Sequence, residues 1–215
     1  MPKKKKIEFI SSPFDLESCE NLIRLGLKTV KIPSGEITNY PLLYKVAKNF
    51  KEIFLSTGMA SINEIKNAIK ILNKNNSNLT ILHCISLYPT PAKDINLNFL
   101  KKLKTEFNYK LGFSDHSLGC TAAILSLSYG VLLVEKHITL NKNFKGPDHN
   151  ASMEVEEFKV YVKKLHEAQQ CLGNDDFDRP KLEKQNKLDE MNLQSNDNVL
   201  LLNEKKSVLL PGTLS

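Results

Sequence analysis

The sequence predicts an α/β fold in which helices pack outside a parallel β-sheet, and two observations lead to this prediction. Short apolar runs alternate six times with amphipathic segments, and the alternation ends near Gly173. Six units of about 29 residues fall short of the roughly 230 residues that eight units would need. Residues 1–173 therefore form either an open six-stranded sheet or a (β/α) barrel lacking two of its eight units, and periodicity alone does not decide.

The predicted strands are short and rich in Ile, Val, Leu and Phe, as is typical of parallel strands that are buried on both faces. In chain order they are IEFISS, TVKIPS, EIFLST, LTILHC, YKLGFS and LLVEKHI.

Between the strands lie segments whose apolar residues recur at helical spacing. Ser61 and Glu64 form a potential capping box at the start of one of them. After Gly173 the pattern stops, and residues 174–215 are expected to be a poorly ordered polar tail with one helix at Arg179–Leu193. The helices predicted before that point are Asp15–Leu25, Ser61–Leu72, Leu97–Phe107, Cys120–Tyr129 and Val155–Leu172.

Composition excludes several classes of protein. The 215 residues carry a net charge of +6, but the basic residues are scattered and not interleaved with aromatic residues, so nucleic-acid binding is not predicted. No apolar run is long enough for a transmembrane helix, so no membrane partner is expected. The four cysteines form no CxxC motif and predict reduced thiols in the cytoplasm.

Polar residues collect where each predicted strand ends, which is where chemistry gathers in a parallel barrel. Lys31 is the most informative, because it lies between Val30 and Ile32 and would face the interior if those two face the helices. A buried lysine needs an anionic partner. The alternatives are a salt bridge with Glu36 or Glu135, an anchor for a phosphate or carboxylate, or a Schiff-base lysine as in an aldolase.

His116 and His137 end neighbouring strands, so their imidazoles are candidates to bind one divalent metal ion. Two nitrogen ligands, with water and a substrate oxygen, suit Mn²⁺, Fe²⁺ or Zn²⁺. Two buried histidines with structural roles are the alternative. Asp115 is expected either to orient an imidazole or to accept bonds from nearby backbone amides.

Six motifs together resemble the sialic acid synthase family, with all of them in order from about Phe9 to Gly173. They are KIPSGEITNYPLL, LSTGMASINEI, LHCISLYPTP, GFSDHSLG, EKHITL and GPDHNASMEVEEF. GPDHNAS is more similar to the neuraminate and legionaminate branches than to the pseudaminate branch. The resemblance implies a partial TIM barrel that condenses phosphoenolpyruvate with an open-chain N-acetylated hexosamine, giving a nonulosonic acid and phosphate.

The resemblance also implies roles for particular residues. His116 and His137 correspond to the metal ligands, with Mn²⁺ preferred and Mg²⁺ or Co²⁺ as alternatives. Glu36 and Lys31 correspond to catalytic residues, and Lys31 then supplies charge to the substrate anion, which displaces the aldolase interpretation. The phosphoenolpyruvate contacts correspond to Ser12, Lys31, Ser34, Ser56, Ser86 and Ser114. The amino-sugar contacts correspond to Glu36, Tyr88 and Asp148.

The chain also departs from the family pattern, and resembles a member truncated at both ends. The motifs of the family's first two strands and its C-terminal antifreeze-like domain are not found. The open edges near Phe9 and Val134 predict association, either as a homodimer or with a complementing chain that carries the first two strands. The alternative function is that of a non-catalytic or partner-binding remnant of such an enzyme.

Overall fold

Five parallel strands form the main sheet of this computed structural model, which describes residues 7–75, 78–174 and 179–195. The strands pair in chain order, β1 to β5, and every pair is parallel. Their bounds are Thr29–Ile32, Glu52–Ser56, Asn78–Cys84, Lys110–Asp115 and Val131–Lys136. Two short strands, β6 (Ile138–Thr139) and β7 (Met153–Glu154), form a separate parallel pair.

Helices connect the strands and cover the outer face of the sheet. The first six are α1 to α6, at Leu16–Arg24, Tyr40–Asn49, Ile62–Leu72, Phe99–Phe107, Thr121–Leu127 and Val155–Leu172. The core lies between the two layers, where fully buried Ile53 and Leu55 of β2 join Leu42 and Leu43 of α2 in one apolar cluster. This is the layering expected when crossover helices connect parallel strands.

Local sequence signals account for where the helices begin. Asp15 caps α1 by accepting a hydrogen bond from the Ser18 amide at 2.6 Å. The capping box predicted at Ser61 is formed, with the Ser61 and Glu64 side chains each accepting a bond from the other's backbone amide. The helix α2 was not among those predicted, although Asn39 caps it and Pro41 stands in its first turn.

The sheet is strongly curved, and an ion pair across its interior demonstrates this. Lys31 on β1 and Glu135 on β5 approach to 3.0 Å between Nζ and Oε1. These are the two outer strands, which would lie about 19 Å apart if the five strands formed a flat sheet. The curvature is that of a partial barrel, so the predicted fold class is confirmed and the open flat sheet is excluded.

The prediction of a strand at the start of the chain is wrong. Residues 7–13 form no strand, although Ser11 accepts a backbone hydrogen bond from Lys31 at 3.2 Å. The segment therefore runs beside β1 without forming a ladder. Ile7 and Phe9 remain exposed, so little burial offsets the entropy that a regular strand would lose.

The chain divides into two units, one up to Gly173 and one from Asn174 onward. In the second unit a helix, α7, spans Lys181–Ser195, close to the helix predicted for the tail. The rest of the predicted tail lies largely outside the described residues. Within the described ranges, no helix is both long enough and apolar enough to cross a membrane.

Candidate active site

The side chains that face the barrel interior come from alternate positions at the carboxyl ends of the strands. Ser114 on β4 stands in register with Cys84 on β3 and with Glu135 on β5. Because side chains alternate between the two faces of a strand, His116 and His137 point to the same side two residues further on. The five interior positions thus form one polar surface at the open end of the partial barrel.

A line of polar contacts runs across this surface from Lys31 to His116. One carboxylate oxygen of Glu135 forms the ion pair with Lys31, and the other accepts a 2.6 Å hydrogen bond from the Ser114 hydroxyl. Ser114 Oγ in turn lies 3.4 Å from His116 Nε2. Burial alone would raise the pKa of Glu135, but the charge of Lys31 and the bond from Ser114 outweigh burial and lower it.

The imidazoles of His116 and His137 lie side by side, with 5.3 Å between ring centres. Tyr88 covers both rings, at 4.1 Å from the centre of His116 and 5.5 Å from that of His137. The structure therefore brings together the two histidines that the sequence singled out, and it closes them in on one side with an aromatic ring.

The hydrogen bonds of His116 leave one nitrogen available. Its Nδ1 lies 2.8 Å from the Ile85 carbonyl oxygen, which can only accept, so the proton is on Nδ1. The one hydroxyl hydrogen of Ser114 is directed to Glu135, so Nε2 keeps a lone pair facing the interior. A ring nitrogen fixed in this way by a carbonyl is typical of metal-binding histidines.

The two imidazoles fit a divalent metal ion. Their 5.3 Å separation suits two nitrogen ligands of one ion, for which metal–nitrogen distances are about 2.1 Å. Burial, followed by the charge of His116, lowers the pKa of His137 and keeps it neutral at pH 7. Burial opposes a charge on His116, but hydrogen bonds to Cys84 and Ile85 raise its pKa overall, so a proton competes with a metal ion there.

Within the described ranges, no group of three or more His, Cys, Asp or Glu residues is arranged to hold a metal ion. An ion held by the two histidines would therefore depend on water or substrate oxygens for its remaining ligands, which is the arrangement the sequence predicted.

The second part of the polar interior surface lies at Gly58, where the backbone packs closely against the side chains of Ser34, Cys84 and Ser86. The Gly58 amide donates to Ser34 Oγ at 3.0 Å, and the thiol of Cys84 lies 3.5 Å from the same oxygen. A β-carbon at Gly58 would come closest to Ser86 Oγ. Two hydroxyls that the sequence predicted as substrate contacts, those of Ser34 and Ser86, therefore surround Gly58 together with the thiol of Cys84. Hydroxyl groups gathered in this way can donate hydrogen bonds to an anion.

Ser56 and Ser12 occupy the inner part of the barrel. Ser56 is 1% exposed, and its hydroxyl oxygen has no hydrogen-bond partner among the described residues. Ser12 lines a cavity of about 240 Å³ together with Lys31, Phe54 and Glu135. An unpartnered buried hydroxyl is costly, and a ligand that supplies its missing hydrogen bond would remove that cost.

Glu36 and Asp148 lie at the rim of the site. The Glu36 carboxylate accepts a 2.7 Å bond from Asn39 at the start of α2. Asp148 is exposed and stands before the short helical turn His149–Ala151. Burial is the largest influence on both neighbouring rings and raises the pKa of Tyr88 but lowers that of His137; the charge of Asp148 adds to the first shift and partly opposes the second.

Asp115 points away from the site, into the helix layer. It accepts hydrogen bonds from the Ser117 amide and hydroxyl, from Tyr161 on α6, and from Lys136 at 3.1 Å. The expectation that it bonds a backbone amide is therefore met, and the expectation that it touches an imidazole is not.

Sequence reasoning missed Cys84 as a member of this surface and considered Glu135 only as a partner for Lys31. Both lie two residues before a predicted site residue, Ser86 in one case and His137 in the other. The period of two along a strand was the available signal. His83, by contrast, faces the helices and lies 2.7 Å from the Ile95 carbonyl.

A curved parallel sheet with helices on its outer face and a polar surface at its carboxyl ends places the protein in the class of α/β-barrel folds. The comparisons with known proteins narrow this class: residues 1–177 match the NeuB family, and the chain belongs to that family. It is 46% identical over 175 residues to N,N'-diacetyllegionaminic acid synthase of Campylobacter jejuni, covering 80% of this chain and 52% of that protein.

Two further relatives agree with this assignment. The synthase of the same name from Legionella pneumophila is 42% identical over 173 residues, which are 78% of this chain and 49% of that protein. The crystal structure of N-acetylneuraminic acid synthetase from Leptospira borgpetersenii superposes with a TM-score of 0.80 at 32% identity, covering 91% of this chain and 68% of the other. The chain thus spans about half the length of both curated relatives.

Proposed function

We propose that residues 1–173 carry the substrate- and metal-binding part of a synthase that condenses phosphoenolpyruvate with an N-acetylated amino sugar. The products would be a nonulosonic acid and phosphate. The observation that carries this proposal is the placement of Lys31, a set of hydroxyls and two adjacent imidazoles on one interior surface. Family membership and the printed names of the relatives support the same reaction class.

Phosphoenolpyruvate would bind on the hydroxyl-rich part of this surface. Lys31 supplies the positive charge, the cavity beside Ser12 provides room for an anion, and the Gly58 amide holds the Ser34 hydroxyl in place by donating to its oxygen. Ser56 would gain the hydrogen-bond partner that it lacks. The hydroxyls proposed to contact this substrate are those of Ser12, Ser34, Ser56, Ser86 and Ser114.

His116 and His137 would hold the divalent ion, with Mn²⁺ as the first candidate and Mg²⁺ or Co²⁺ as alternatives. When bound, the ion supplies Lewis acidity that polarises the aldehyde of the open-chain sugar. The Ile85 carbonyl keeps the proton of His116 on Nδ1, and Tyr88 shields both rings from water on one side.

The acceptor sugar would lie at the rim, against Glu36, Tyr88 and Asp148. Glu36 is the proposed proton-transfer group near the reacting carbon, and Asn39 holds its carboxylate in place. We favour a 2,4-diacetamido-trideoxyhexose as acceptor, because two close relatives are named for the diacetylated product; N-acetylmannosamine is the alternative.

The open edges of the sheet suggest that the working enzyme contains further strands. Ile7 and Phe9 on one side and Leu132 on the other are exposed. A second copy of this chain or a complementing chain with two further βα units would cover them. The four cysteines are free thiols, which suits a reducing compartment such as the cytoplasm.

The experiment is a binding and turnover assay with the purified chain, Mn²⁺, phosphoenolpyruvate and each candidate sugar. We expect phosphoenolpyruvate binding that Lys31→Met weakens at least about tenfold, since one charge contact to the anion is lost. Lys28→Met, which removes an exposed lysine just before the same strand, is the matched control and should have little effect.

Release of phosphate with formation of a keto acid of the expected mass would support the synthase. Binding without turnover, even when the missing barrel units of a relative are added in trans, would favour the non-catalytic remnant. Binding that does not depend on Lys31 would refute the proposed anion site.

A further inference from the structure

A buried polar cluster lies directly behind the two histidines, on the opposite face of the same strands. Its members are Asp115 on β4, Lys136 on β5, Ser117 after β4 and Tyr161 on α6. The side chains of Asp115 and Lys136 are 0% and 2% exposed, so this ion pair is sealed from water. None of these four groups faces the barrel interior, and the proposed reaction does not use them.

The cluster is joined to the histidines through the backbone. Asp115 precedes His116, Lys136 precedes His137, and Asp115 and Lys136 are register partners. One residue earlier, Ser114 and Glu135 are also register partners and bond across the inner face at 2.6 Å. The ends of β4 and β5 are therefore clamped together on both faces, immediately before the two imidazoles.

On the helix-facing side, both charged groups of the Asp115–Lys136 pair have hydrogen-bond partners. Asp115 accepts bonds from the Ser117 amide at 2.9 Å and from the Tyr161 hydroxyl at 2.8 Å, besides its bond with Lys136. Lys136 also donates to the Ser117 carbonyl. A buried ion pair costs desolvation that a pair of apolar residues would avoid, so its presence indicates a role in fixing geometry more than in adding stability.

We infer that the Asp115–Lys136–Tyr161 cluster is a positioning device that sets the separation and orientation of His116 and His137 through the ends of β4 and β5. This inference rests on the metal site of the proposed function. Tyr161 extends the device to α6, so that helix packing and imidazole spacing are coupled.

The test compares metal affinity with folding. The double variant Asp115→Asn/Lys136→Met removes both charges together and so leaves no buried unpaired ion. We expect it to unfold cooperatively near the wild-type temperature, but to bind Mn²⁺ about 10- to 100-fold more weakly, as measured by electron paramagnetic resonance. Tyr161→Phe keeps the ring and removes one hydrogen bond, and should weaken binding by a smaller factor.

The control is Lys66→Met/Glu106→Gln, which removes an ion pair between α3 and α4 that is partly exposed. It should leave Mn²⁺ affinity unchanged. A folded Asp115→Asn/Lys136→Met variant with wild-type affinity would overturn the inference. If that double variant does not fold, Tyr161→Phe decides: unchanged affinity in that variant would overturn the inference.

A second readout separates failure of this inference from failure of the metal site. If the wild-type chain binds no Mn²⁺, or if His116→Ala binds it equally well, the proposed metal site is wrong. In that case the ring resonances of ¹⁵N-labelled His116 and His137 in metal-free protein test whether the cluster still positions the two imidazoles. Shifted signals in the double variant would support positioning, and unchanged signals would refute it.

Discussion

Gly58 is the residue at which one added carbon atom would disturb most of the candidate site. A β-carbon there would lie closest to Ser86 Oγ, 2.8 Å from Ser34 Oγ and 3.1 Å from Cys84 Sγ. These separations are too short for unstrained contacts. The surrounding side chains would therefore have to move to admit even one carbon atom at Gly58.

We predict that Gly58→Ala destabilises the fold by about 1–3 kcal/mol and weakens phosphoenolpyruvate binding, because the surrounding groups must move apart. Gly35→Ala is the matched control, since a β-carbon at Gly35 would have no atom within 4 Å apart from those of its own helical turn and chain neighbours. That variant should stay within about 0.5 kcal/mol of wild type in a urea titration. Equal stability of the two variants would contradict the close packing at Gly58.

His83 illustrates how a histidine next to the site can be structural. It is 2% exposed, lies against Phe99 and Phe113, and bonds the Ile95 carbonyl. Burial lowers its pKa below the ordinary value of 6.5, and the bond to Ile95 only partly opposes this. The folded protein therefore resists protonation of this ring, while the unfolded chain does not.

The sign of the pH effect follows from this difference. Above pH 6.5 both states are neutral at His83 and the fold has its full stability; as the pH falls below 6.5, the unfolded state binds the proton more readily and stability declines. His83→Gln should show a smaller loss of unfolding free energy between about pH 7.5 and about pH 5.5 than wild type. An equal loss in both proteins would contradict the burial argument.

Among the individual helices and strands, predictions from local signals succeeded where the signal was complete. The helix α3 has both halves of its capping box in the sequence and begins where predicted. The first apolar run looks like a strand but forms none, because a strand depends on its neighbours and residues 7–13 gain little burial. Strand formation is decided by pairing, which a local pattern does not reveal.

Leu132 is an irregularity of β5 that no periodicity predicted. Leu111 pairs with Val131 and Gly112 pairs with Leu133, so Leu132 is an extra residue opposite a continuous β4. This bulge brings Asp115 opposite Lys136 and places both imidazoles on the inner face. The Leu132 side chain is 72% exposed, so its position in the register matters more than its packing.

Deletion of Val134, in the regular part of β5 after the bulge, would shift Glu135 and Lys136 by one position against β4 and move the inward carboxylate of Glu135 to the outer face. We predict loss of cooperative thermal unfolding in the deletion variant. Leu132→Ser keeps the register and should melt within a few degrees of wild type. A deletion variant with the wild-type melting transition would show that the register is not set here.

In the molecule as a whole, curvature decides which side chains meet. The sequence left Glu36 and Glu135 as equal candidates to pair with Lys31, because the distance between β1 and β5 depends on how far the sheet curls. The structure joins Lys31 to Glu135, the residue further away in sequence. The interior position of Lys31, in contrast, followed from the alternation of Val30, Lys31 and Ile32 alone.

The sequence identified the two histidines as candidate ligands, but it could not predict the distance between their rings. Adjacent strand ends lie about 4.8 Å apart only if the strands pair in chain order, and that order emerges from the complete sheet. The buried pair of Asp115 and Lys136 behind these histidines could not be predicted from the sequence either, since its burial and its bond to Tyr161 depend on which face of the sheet α6 covers.

Mn²⁺ binding by the intact chain decides whether the two imidazoles form a metal site, and it can be followed through the loss of the free-ion signal in electron paramagnetic resonance. We expect one ion per chain, bound by wild type and by His166→Ala, which changes an exposed histidine on α6. His116→Ala and His137→Ala should each lose at least about tenfold in affinity. Binding that survives both of these substitutions, or no binding by the wild-type chain, would contradict a metal site at these histidines.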